Sequence, residues 1–401
     1  MCFGGFGKVR RFKVRFGIYS NTRACNYTTY KKFYTSKIGN IRALGLYSST
    51  FCFFSKMTDF QNYLAQAAGE VNKAMQSSLG KWSCETESIH SSLGPLAKLF
   101  TDRNFGGKTL RGCLVKLGYE LAGGRATKEI YRVSAAVEIF QTSILAHDDI
   151  IDKSPTRRGK PTLYRELGGD HYAISQTICL GDMGFFLAVL LISESNFNDK
   201  NKNNAVSAFS NMVINTGLGE MLDVELPRLP TSKTDEAVLQ IHRLKTSYYT
   251  IIYPLTIGAI LAGAKRPMLK YFEVFGESLG IAFQIQDDIL GVFGDEAKLG
   301  KSVTSDIEEG KNTLLITYAL RRANKAQKNT LKKYYGAGEI GVKELQLIKE
   351  VFIDTGSLDY SKKKAMEYAH QAKRVIPRIT KDVKLKALLG ELAEYLVSRE
   401  K

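Results

Sequence analysis

Acidic residues are missing from the first 58 positions of this chain, although eleven basic residues lie there. The basic residues are Lys8, Arg10, Arg11, Lys13, Arg15, Arg23, Lys31, Lys32, Lys37, Arg42 and Lys56. They supply eleven of the 17 net positive charges of the 401-residue chain, so the remainder is only mildly basic. Nucleic-acid binding requires a concentrated positive surface on the folded part of a protein. The charge distribution therefore predicts no nucleic-acid partner.

The same N-terminal segment lacks a long apolar core and is rich in serine, threonine, tyrosine and phenylalanine. An acid-free, arginine-containing, hydroxyl-rich N-terminus is more typical of an organelle transit peptide than of a secretory signal. We therefore expect residues 1–56 to be a mitochondrial leader and residues 57–401 to form the folded domain. Two alternatives are a disordered tail and an upstream extension with translation starting at Met57, which would leave the protein in the cytoplasm.

Paired cysteines and long apolar runs are missing as well. None of the six cysteines belongs to a Cys-x-x-Cys pair, so the sequence gives no sign of a zinc site or a disulfide framework. Pro254 and several hydroxyl residues interrupt the uncharged stretch 247–264. The apolar stretch 185–192 is far shorter than the ~20 residues that a membrane span requires. The sequence therefore predicts no transmembrane segment.

Strand-like alternation of apolar and polar positions is scarce, and no internal repeat is present. Helical periodicity dominates from about residue 60 onward, with breaks at 193–204, 227–235, 294–310 and 336–341. Near the C-terminus, leucines recur at helical spacing at positions 385, 388, 389, 392 and 396. We predict a single all-α domain without a sheet, in which helices enclose an active-site cavity.

Two aspartate clusters are the most informative motifs that are present. The first reads His-Asp-Asp-Ile-Ile-Asp at 147–152 and is followed by Arg157 and Arg158. The second reads Phe-Gln-Ile-Gln-Asp-Asp at 283–288 and is followed by Lys301, Asp306 and Lys311. Both lie among apolar residues, where an ionised carboxylate is unfavourable unless a cation meets it. The surroundings therefore indicate that these carboxylates have partners.

The spacing of the first cluster suits a metal ion. On a helix, Asp148 and Asp152 fall on one face, roughly 6 Å apart along the axis. Such carboxylates suit Mg²⁺, which prefers oxygen ligands and is usually held by a few carboxylates together with substrate phosphates. Arginine and lysine nearby would bind the other phosphate oxygens. A lone acidic triplet is often only a solvated helix face, but two clusters with apolar flanks predict a magnesium–diphosphate site.

The motifs at 147–152, 156–159 (Thr-Arg-Arg-Gly) and 283–288 resemble those of the trans-polyprenyl diphosphate synthases, a family that includes farnesyl and geranylgeranyl diphosphate synthases. The matching segments run from Gly106 to about Lys311. The resemblance implies the isoprenoid-synthase helical fold with a central active-site cavity, working as a homodimer. It also implies Mg²⁺-dependent, head-to-tail condensation of an allylic diphosphate with isopentenyl diphosphate.

The resemblance assigns roles around the allylic diphosphate. It implies that Asp148, Asp152 and Asp287 bind Mg²⁺, with Asp149 and Asp288 as further ligands or as supports of the ligands. The cations that would bind the diphosphate are Arg157, Lys245 and Lys301, with Lys311 at another basic position nearby. Thr246 and Gln284 would face the carbocation.

A condensing enzyme also needs a metal-free site for the diphosphate of isopentenyl diphosphate. By resemblance, Lys108 and Arg111 after the Gly-Gly turn at 106–107 supply this site, together with Arg158 and Gln141. A Gly-Gly turn before a basic helix is often only a turn. Gln141, moreover, would ordinarily be a surface residue, so both assignments depend on the resemblance.

Two positions depart from the common family pattern. Gly291 stands where many members have a third aspartate of the second cluster, which leaves a fifth carboxylate in doubt. Gly112 replaces the frequent proline after Arg111. In addition, Glu220 and Asp223 match a pair of residues that line the cavity in the family.

The product length should depend on the residues one turn before Asp148, where an aromatic ring would block a growing chain. The small side chain of Ser143, beside Ile144, argues against a product as short as farnesyl diphosphate. The bulky side chain of Phe140 argues against very long prenyl products. We expect geranylgeranyl diphosphate, with longer or shorter polyprenyl products as alternatives. Two different functions also suit this fold, namely a terpene synthase, which could lose the isopentenyl site, and a regulatory subunit, which could lose the aspartates.

Overall fold

The computed structural model describes residues 57–229, 233–295 and 303–398. The predicted leader, residues 1–56, and Lys301 therefore lie outside the described residues. The α-helices are α1 (Asp59–Ile89), α2 (Gly94–Arg103), α3 (Leu110–Leu121), α4 (Lys128–Ile151), α5 (Leu163–Glu166), α6 (His171–Ser193), α7 (Asp199–Glu225), α8 (Asp235–Ile241), α9 (Tyr253–Leu261), α10 (Arg266–Phe293), α11 (Ser305–Glu308), α12 (Leu314–Arg322), α13 (Lys325–Tyr334), α14 (Val342–Asp354), α15 (Ser357–Ile379) and α16 (Val383–Val397). Short 3₁₀ turns lie at Ser91–Leu93 and Leu226–Arg228, and a π-helix at His242–Ile252 joins α8 to α9.

The predicted all-α architecture is confirmed over the described residues, with one small exception. A hairpin pairs β1 (Thr156–Arg157) with β2 (Lys160–Pro161). Its turn residues Arg158 and Gly159 both have positive φ, at 54° and 70°, as a tight two-residue turn between strands requires. Strands of two residues are too short to leave an alternating pattern, so the sequence did not predict this hairpin.

Side-chain caps fix where several helices begin. Thr58 caps α1 reciprocally with Gln61, and Asn198 caps α7 by accepting from the backbone N–H of Asn201. Because of the Asn198 cap, the break predicted at 193–204 is shorter than expected. The predicted C-terminal helix is α16, which buries Leu389, Leu392 and Leu396.

Two large apolar clusters hold the helices around the site. One joins α1, α3, α10, α15 and α16 through residues such as Phe60, Leu114, Phe272 and Leu389. The other joins α3, α4, α6, α7 and α9 through residues such as Val115, Phe140, Phe209 and Ile257. Helix α4 belongs to the second cluster and α10 to the first, so the packing fixes both helices that carry aspartate clusters.

Helix α6 differs from the sequence prediction. By length and composition it could cross a membrane, with a mean hydropathy of 1.7 over an 18-residue window. The helix is longer than the apolar stretch 185–192 that the sequence suggested, because it extends back to His171, and the absence of a transmembrane segment stays a prediction. Ala188 and Ile192 of α6 lie in the second apolar cluster, so this helix is part of the bundle.

Candidate active site

One cavity lies between the ends of α4, α7 and α10, the π-helix and the segment after α11. The predicted site residues that line it are Asp148, Asp152, Arg157, Lys245, Thr246, Gln284, Asp287, Asp288 and Lys311. Glu220, Asp223, His242 and Asp306 line it as well. The fold thus brings residues from both sequence clusters to one space.

The first cluster lies in the last turn of α4 and at Asp152, the residue directly after it, and its carboxylates point to two sides. Asp148, Asp152 and Glu220 of α7 have carboxylate oxygens within 4.8 Å of one another. Asp149 is buried beside a second, smaller cavity and accepts a 2.7 Å hydrogen bond from Arg157 Nε. Burial raises the pKa of the Asp149 carboxyl to about 6, although Arg157 opposes this. The predicted role of Asp149 as a ligand stays a prediction, since its carboxylate is turned towards Arg157.

Lys245 of the π-helix holds three carboxylates of the cavity together. Its Nζ lies 2.7 Å from Glu220 Oε2, 2.7 Å from Asp223 Oδ2 and 3.3 Å from Asp148 Oδ1. Burial lowers the pKa of the Lys245 ammonium, but these carboxylates outweigh burial and raise the pKa well above its usual value. Burial raises the pKa of Asp148, but Lys245, Arg157 and Lys311 hold it below the usual value. Both groups are therefore charged at neutral pH.

Lys311 forms ion pairs both with the first aspartate cluster and with the segment that follows the second aspartate cluster. Its Nζ lies 3.1 Å from Asp152 Oδ2, 3.1 Å from Glu309 Oε2 and 3.7 Å from Asp306 Oδ1. Burial lowers the pKa of Lys311, but the neighbouring carboxylates raise it well above its usual value. Burial also raises the pKa of Glu309 to about 7. A half-buried, positively charged lysine thus stands between the two acidic motifs.

In the second cluster, Asp288 belongs to a chain of hydrogen bonds. Gln284 Nε2 donates to Asp288 Oδ1 at 2.9 Å, and Thr246 Oγ1 donates to Gln284 Oε1 at 2.6 Å. His242 Nε2 lies 3.0 Å from Asp288 Oδ2. These contacts fix the orientation of the Gln284 amide beside Thr246. Asp287, one residue earlier, is half-buried and lines the cavity.

His242 is a site residue that the sequence did not reveal. It is 3% exposed and lies three positions before Lys245. No motif marks a histidine there, and its contact with Asp288 depends on the packing of the π-helix against α10. Only the three-dimensional arrangement identifies it.

The residues predicted for the metal-free site are only partly brought together. Arg111 is buried, donates to Thr250 Oγ1 at 2.8 Å and lies 4.1 Å above the ring of Tyr249. The guanidinium of Arg158 lies against Gly107, where a Cβ would meet it. Lys108 is exposed, with its Nζ 5.8 Å from the ring of Tyr395 on α16.

Glu138 interacts with residues predicted for the metal-free site, and the sequence did not single it out. It is buried and accepts a 2.7 Å hydrogen bond from the backbone N–H of Gly112. Burial raises the pKa of Glu138, while Gly112, Arg111 and Arg158 oppose this rise. The frequent proline at position 112 could not donate this bond. Gln141, one turn further along α4, is half-buried.

The expected floor of the cavity needs one correction. Ser143 is fully buried and lies against Gly184 of α6, so close that a Cβ built on Gly184 would meet the Ser143 hydroxyl. This hydroxyl donates a hydrogen bond of 2.9 Å to the carbonyl of Ile139. Ile144, rather than Ser143, lines the cavity. Phe140 lies behind Tyr249, with 6.4 Å between the ring centroids. Because of the way α4 is rotated about its axis, Ile144 and not Ser143 forms the cavity wall at this turn of the helix.

Comparison with known proteins agrees with the resemblance seen in the motifs. Relatives include the geranylgeranyl diphosphate synthase of Sulfolobus acidocaldarius, 31% identical over 86% of this chain and 100% of the relative. The geranylfarnesyl diphosphate synthase of Aeropyrum pernix is 34% identical over 74% of this chain and 91% of the relative. The crystal structure of a Corynebacterium glutamicum geranylgeranyl pyrophosphate synthase complexed with isoprenyl diphosphate and magnesium has a TM-score of 0.79 and is 26% identical. The match covers 85% of this chain and 100% of that one.

The family itself is shown by a match along most of the helical domain. A family model described as Polyprenyl synthetase matches residues 95–352, which is more than half of the chain. This range contains both aspartate clusters, Lys245 and Lys311. The predicted family and fold are confirmed: the chain belongs to the polyprenyl synthetases.

Proposed function

We propose that this prenyltransferase condenses an allylic diphosphate with isopentenyl diphosphate in a Mg²⁺-dependent reaction, and that geranylgeranyl diphosphate is its main product. The observation that carries the proposal is the single cavity lined by Asp148, Asp152, Asp287, Lys245 and Lys311. A site that mixes clustered carboxylates with half-buried cations suits a diphosphate whose charge is shared between metal and protein.

The carboxylates fit the proposed metal. Asp148, Asp152 and Glu220 offer hard oxygen donors within 4.8 Å of one another, which is the chemistry that Mg²⁺ prefers. Bound there with Asp287 opposite, Mg²⁺ would supply Lewis-acid stabilisation of the departing diphosphate. The sequence did not predict Glu220 as a metal ligand. We add it to the proposed ligands because of its position beside Asp148 and Asp152.

The chain's own residues would bind and orient the allylic substrate. Lys245, Arg157 and Lys311 present fixed positive charge at the position where the leaving diphosphate gains negative charge, which favours ionisation of the allylic C–O bond. Thr246 and Gln284, held by their mutual hydrogen bond, lie beside Lys245 where the carbocation would form. Their oxygen atoms can stabilise positive charge without competing for the diphosphate.

The second diphosphate would be bound without metal by Arg111 and Arg158, which Glu138 organises. In an Arg111→Ala variant we expect weaker isopentenyl diphosphate binding, because a charge-assisted contact is lost. Hydrolysis of the allylic substrate alone should continue. Steady-state kinetics and a hydrolysis assay measure the two effects, and an equal collapse of both would contradict the division into two sites.

The relatives and the aromatic packing support a geranylgeranyl product. Two named relatives make products of geranylgeranyl or geranylfarnesyl length according to their names. Behind Ile144 and Tyr249, the ring of Phe140 packs against those of Phe185 and Phe209, with centroid distances of 5.5 Å and 5.2 Å respectively. This ring cluster would close the space available to a longer chain.

We also propose a homodimer formed through α6 and α7. These adjacent helices expose apolar stripes at helical spacing: Met183, Phe186 and Leu190 on α6, and Ile214, Leu218 and Met221 on α7. Phe186 is 70% exposed and Met221 is 68% exposed. Monomeric proteins rarely leave such a contiguous apolar patch in water, and a second copy presenting the same face would cover it with two-fold symmetry.

We also propose, from the composition of residues 1–56, that the protein is targeted to mitochondria. A reporter fused to residues 1–56 should enter mitochondria, because that segment is acid-free and basic. A cytosolic reporter would instead favour translation starting at Met57.

Product analysis tests the proposed activity. Purified full-length chain should convert isopentenyl diphosphate and an allylic primer to geranylgeranyl diphosphate only when Mg²⁺ is present. Asp148→Asn should lower kcat by about 10²-fold or more, since stabilisation of the leaving group is lost. Asp354→Asn, at an exposed aspartate, is the matched control. A cyclic hydrocarbon formed without isopentenyl diphosphate would identify a terpene synthase instead.

A further inference from the structure

Lys311 lies in an irregular segment, residues 309–313, between α11 and α12. Its backbone therefore takes its position from contacts outside a regular helix. The Lys311 N–H donates to the carbonyl of Asp306 at 3.0 Å. The Lys311 carbonyl accepts a 2.5 Å hydrogen bond from the hydroxyl of Tyr335, which directly follows α13. A side chain 24 positions further along the chain thus holds the main chain of Lys311.

Two glycines let the chain after α13 approach the segment that carries Lys311. The backbone N–H of Gly336 donates to the carbonyl of Ile307 at 2.8 Å. Gly310 and Gly336 lie so close together that a Cβ built on Gly310 would meet Gly336 Cα at 2.9 Å. Both glycines have positive φ, at 69° and 79°, a conformation that glycine adopts without strain. These backbone contacts place Tyr335 beside Lys311.

The Tyr335 side chain is also held on its other sides. Its ring meets the ring of Phe352 on α14 edge-on, with 6.3 Å between the centroids, and Lys233 Nζ lies 5.6 Å from its own centroid. Burial raises the pKa of the Tyr335 hydroxyl far above its usual value, and the charge of Asp306 adds to this rise. The hydroxyl therefore stays protonated and able to donate. Tyr335 itself does not line the cavity.

We propose that Tyr335 is a positioning residue for the allylic diphosphate, because its hydroxyl fixes the Lys311 backbone and thereby the place of the Lys311 ammonium in the cavity. Lysine has a flexible four-carbon stem, so the place of its charge depends on where its backbone is held. Stabilisation of a leaving group requires charge that is in place before the reaction begins. This inference rests on the proposed function, in which Lys311 binds the allylic diphosphate.

Tyr335→Phe removes the hydroxyl but keeps the ring, so the packing against Phe352 should survive. In the presence of Mg²⁺, the variant should bind inorganic diphosphate about five-fold more weakly, which is the effect expected for one hydrogen bond. Its kcat should fall by a similar factor. The KM for isopentenyl diphosphate should stay unchanged, because Arg111 and Arg158 would bind that substrate. Titration calorimetry and steady-state kinetics measure these effects.

The decisive comparison repeats the substitution in a chain that carries Lys311→Ala. If Tyr335 acts through the Lys311 ammonium, Tyr335→Phe should cost no further diphosphate affinity there, because the group that it positions is gone. A tyrosine that only supports the fold would lower the affinity equally in both chains. Tyr360→Phe is the matched control, since it removes another tyrosine hydroxyl, which donates to Asp235 at 2.6 Å and does not line the cavity. The control should bind diphosphate as the wild type does.

Wild-type diphosphate affinity in Tyr335→Phe, or an equal loss in both chains, would overturn the proposal, as would an equal loss in Tyr360→Phe. If Tyr335→Phe is poorly folded by circular dichroism, Tyr335→Met, which keeps much of the apolar volume, repeats the comparison. Lys311→Ala alone serves as the reference. If it binds Mg²⁺ and diphosphate as well as the wild type, the proposed role of Lys311 fails first and the inference fails with it.

Discussion

At the scale of single residues, the cavity holds half-buried charges that neutralise one another before substrate arrives. Lys245 contacts Asp148, Glu220 and Asp223, and Lys311 contacts Asp152. Removing one member of such a set leaves another charge partly shielded from water without its partner, which is unfavourable. The site is therefore sensitive to substitution for reasons of both folding and catalysis.

Glu220 gives a pH-dependent prediction. Burial raises its pKa from 4.5 to about 7 in the folded chain. Between these values the folded state keeps a proton that the unfolded state has released, so stability falls as pH rises towards 7. Glu220→Gln should reduce this fall. Chemical denaturation in metal-free buffer at pH 5 and pH 7.5 measures it, and an unchanged difference between the two pH values would contradict the raised pKa.

At the scale of elements, the π-helix is the part of the fold on which the site most depends. It carries His242, Lys245, Thr246 and Tyr249, and it packs between α7 and α10. Glycines make this close approach possible, because a Cβ at Gly219 of α7 would meet the Lys245 backbone. A π-helix is an uncommon conformation that often occurs at functional sites.

Gly219→Ala should therefore destabilise the fold by about 1–3 kcal/mol, because the added methyl forces the π-helix away from α7. It should also lower activity by shifting Lys245. Gly217→Ala, two residues earlier on the same helix, is the matched control, since no atom lies within 4 Å of a Cβ there. It should leave stability unchanged or raise it by up to ~1 kcal/mol through helix propensity. Thermal denaturation that ranks the two variants equally would argue against the close approach.

The rotation of α4 decides which substitutions change product length. Ile144 lines the cavity, so Ile144→Phe should shorten the main product from geranylgeranyl to farnesyl. Phe140→Ala should open the ring cluster and lengthen products, at a stability cost of about 3–5 kcal/mol. Ser143→Phe should destabilise the contact with α6 at Gly184 instead. Chromatography of dephosphorylated products decides between these outcomes, and an unchanged distribution in both cavity variants would place the floor elsewhere.

At the scale of the whole molecule, α6 and α7 expose an apolar face that would be unfavourable in contact with water in a monomer. If the proposed dimer forms, Phe186→Asp should place a charge in the centre of its interface and convert it to a monomer. Val383→Asp, at an equally exposed apolar position on α16, should leave the dimer intact. Sedimentation analysis measures both. A monomeric wild type, or a dimer that tolerates Phe186→Asp, would contradict the proposed interface.

Much of this protein was determined by its sequence alone. Apolar periodicity and scarce strand patterns predicted the helical fold, because burial follows the 3.6-residue period locally. The spacing of Asp148 and Asp152, with their apolar flanks, predicted that both face one side of α4, and the cavity lining agrees. The motifs also identified Lys245, Gln284 and Lys311 as residues of one site, and the family match agrees with the resemblance.

Only the tertiary structure decided how residues distant in the chain meet. Contacts such as His242 with Asp288, Gly112 with Glu138, and Tyr335 with Lys311 join separate elements, and no local spacing encodes them. The orientation of Ser143 towards α6 followed from how α4 rotates when it packs against its neighbours. Local periodicity specifies which face of a helix is buried, whereas the partner that each side chain meets depends on the close packing of the whole bundle.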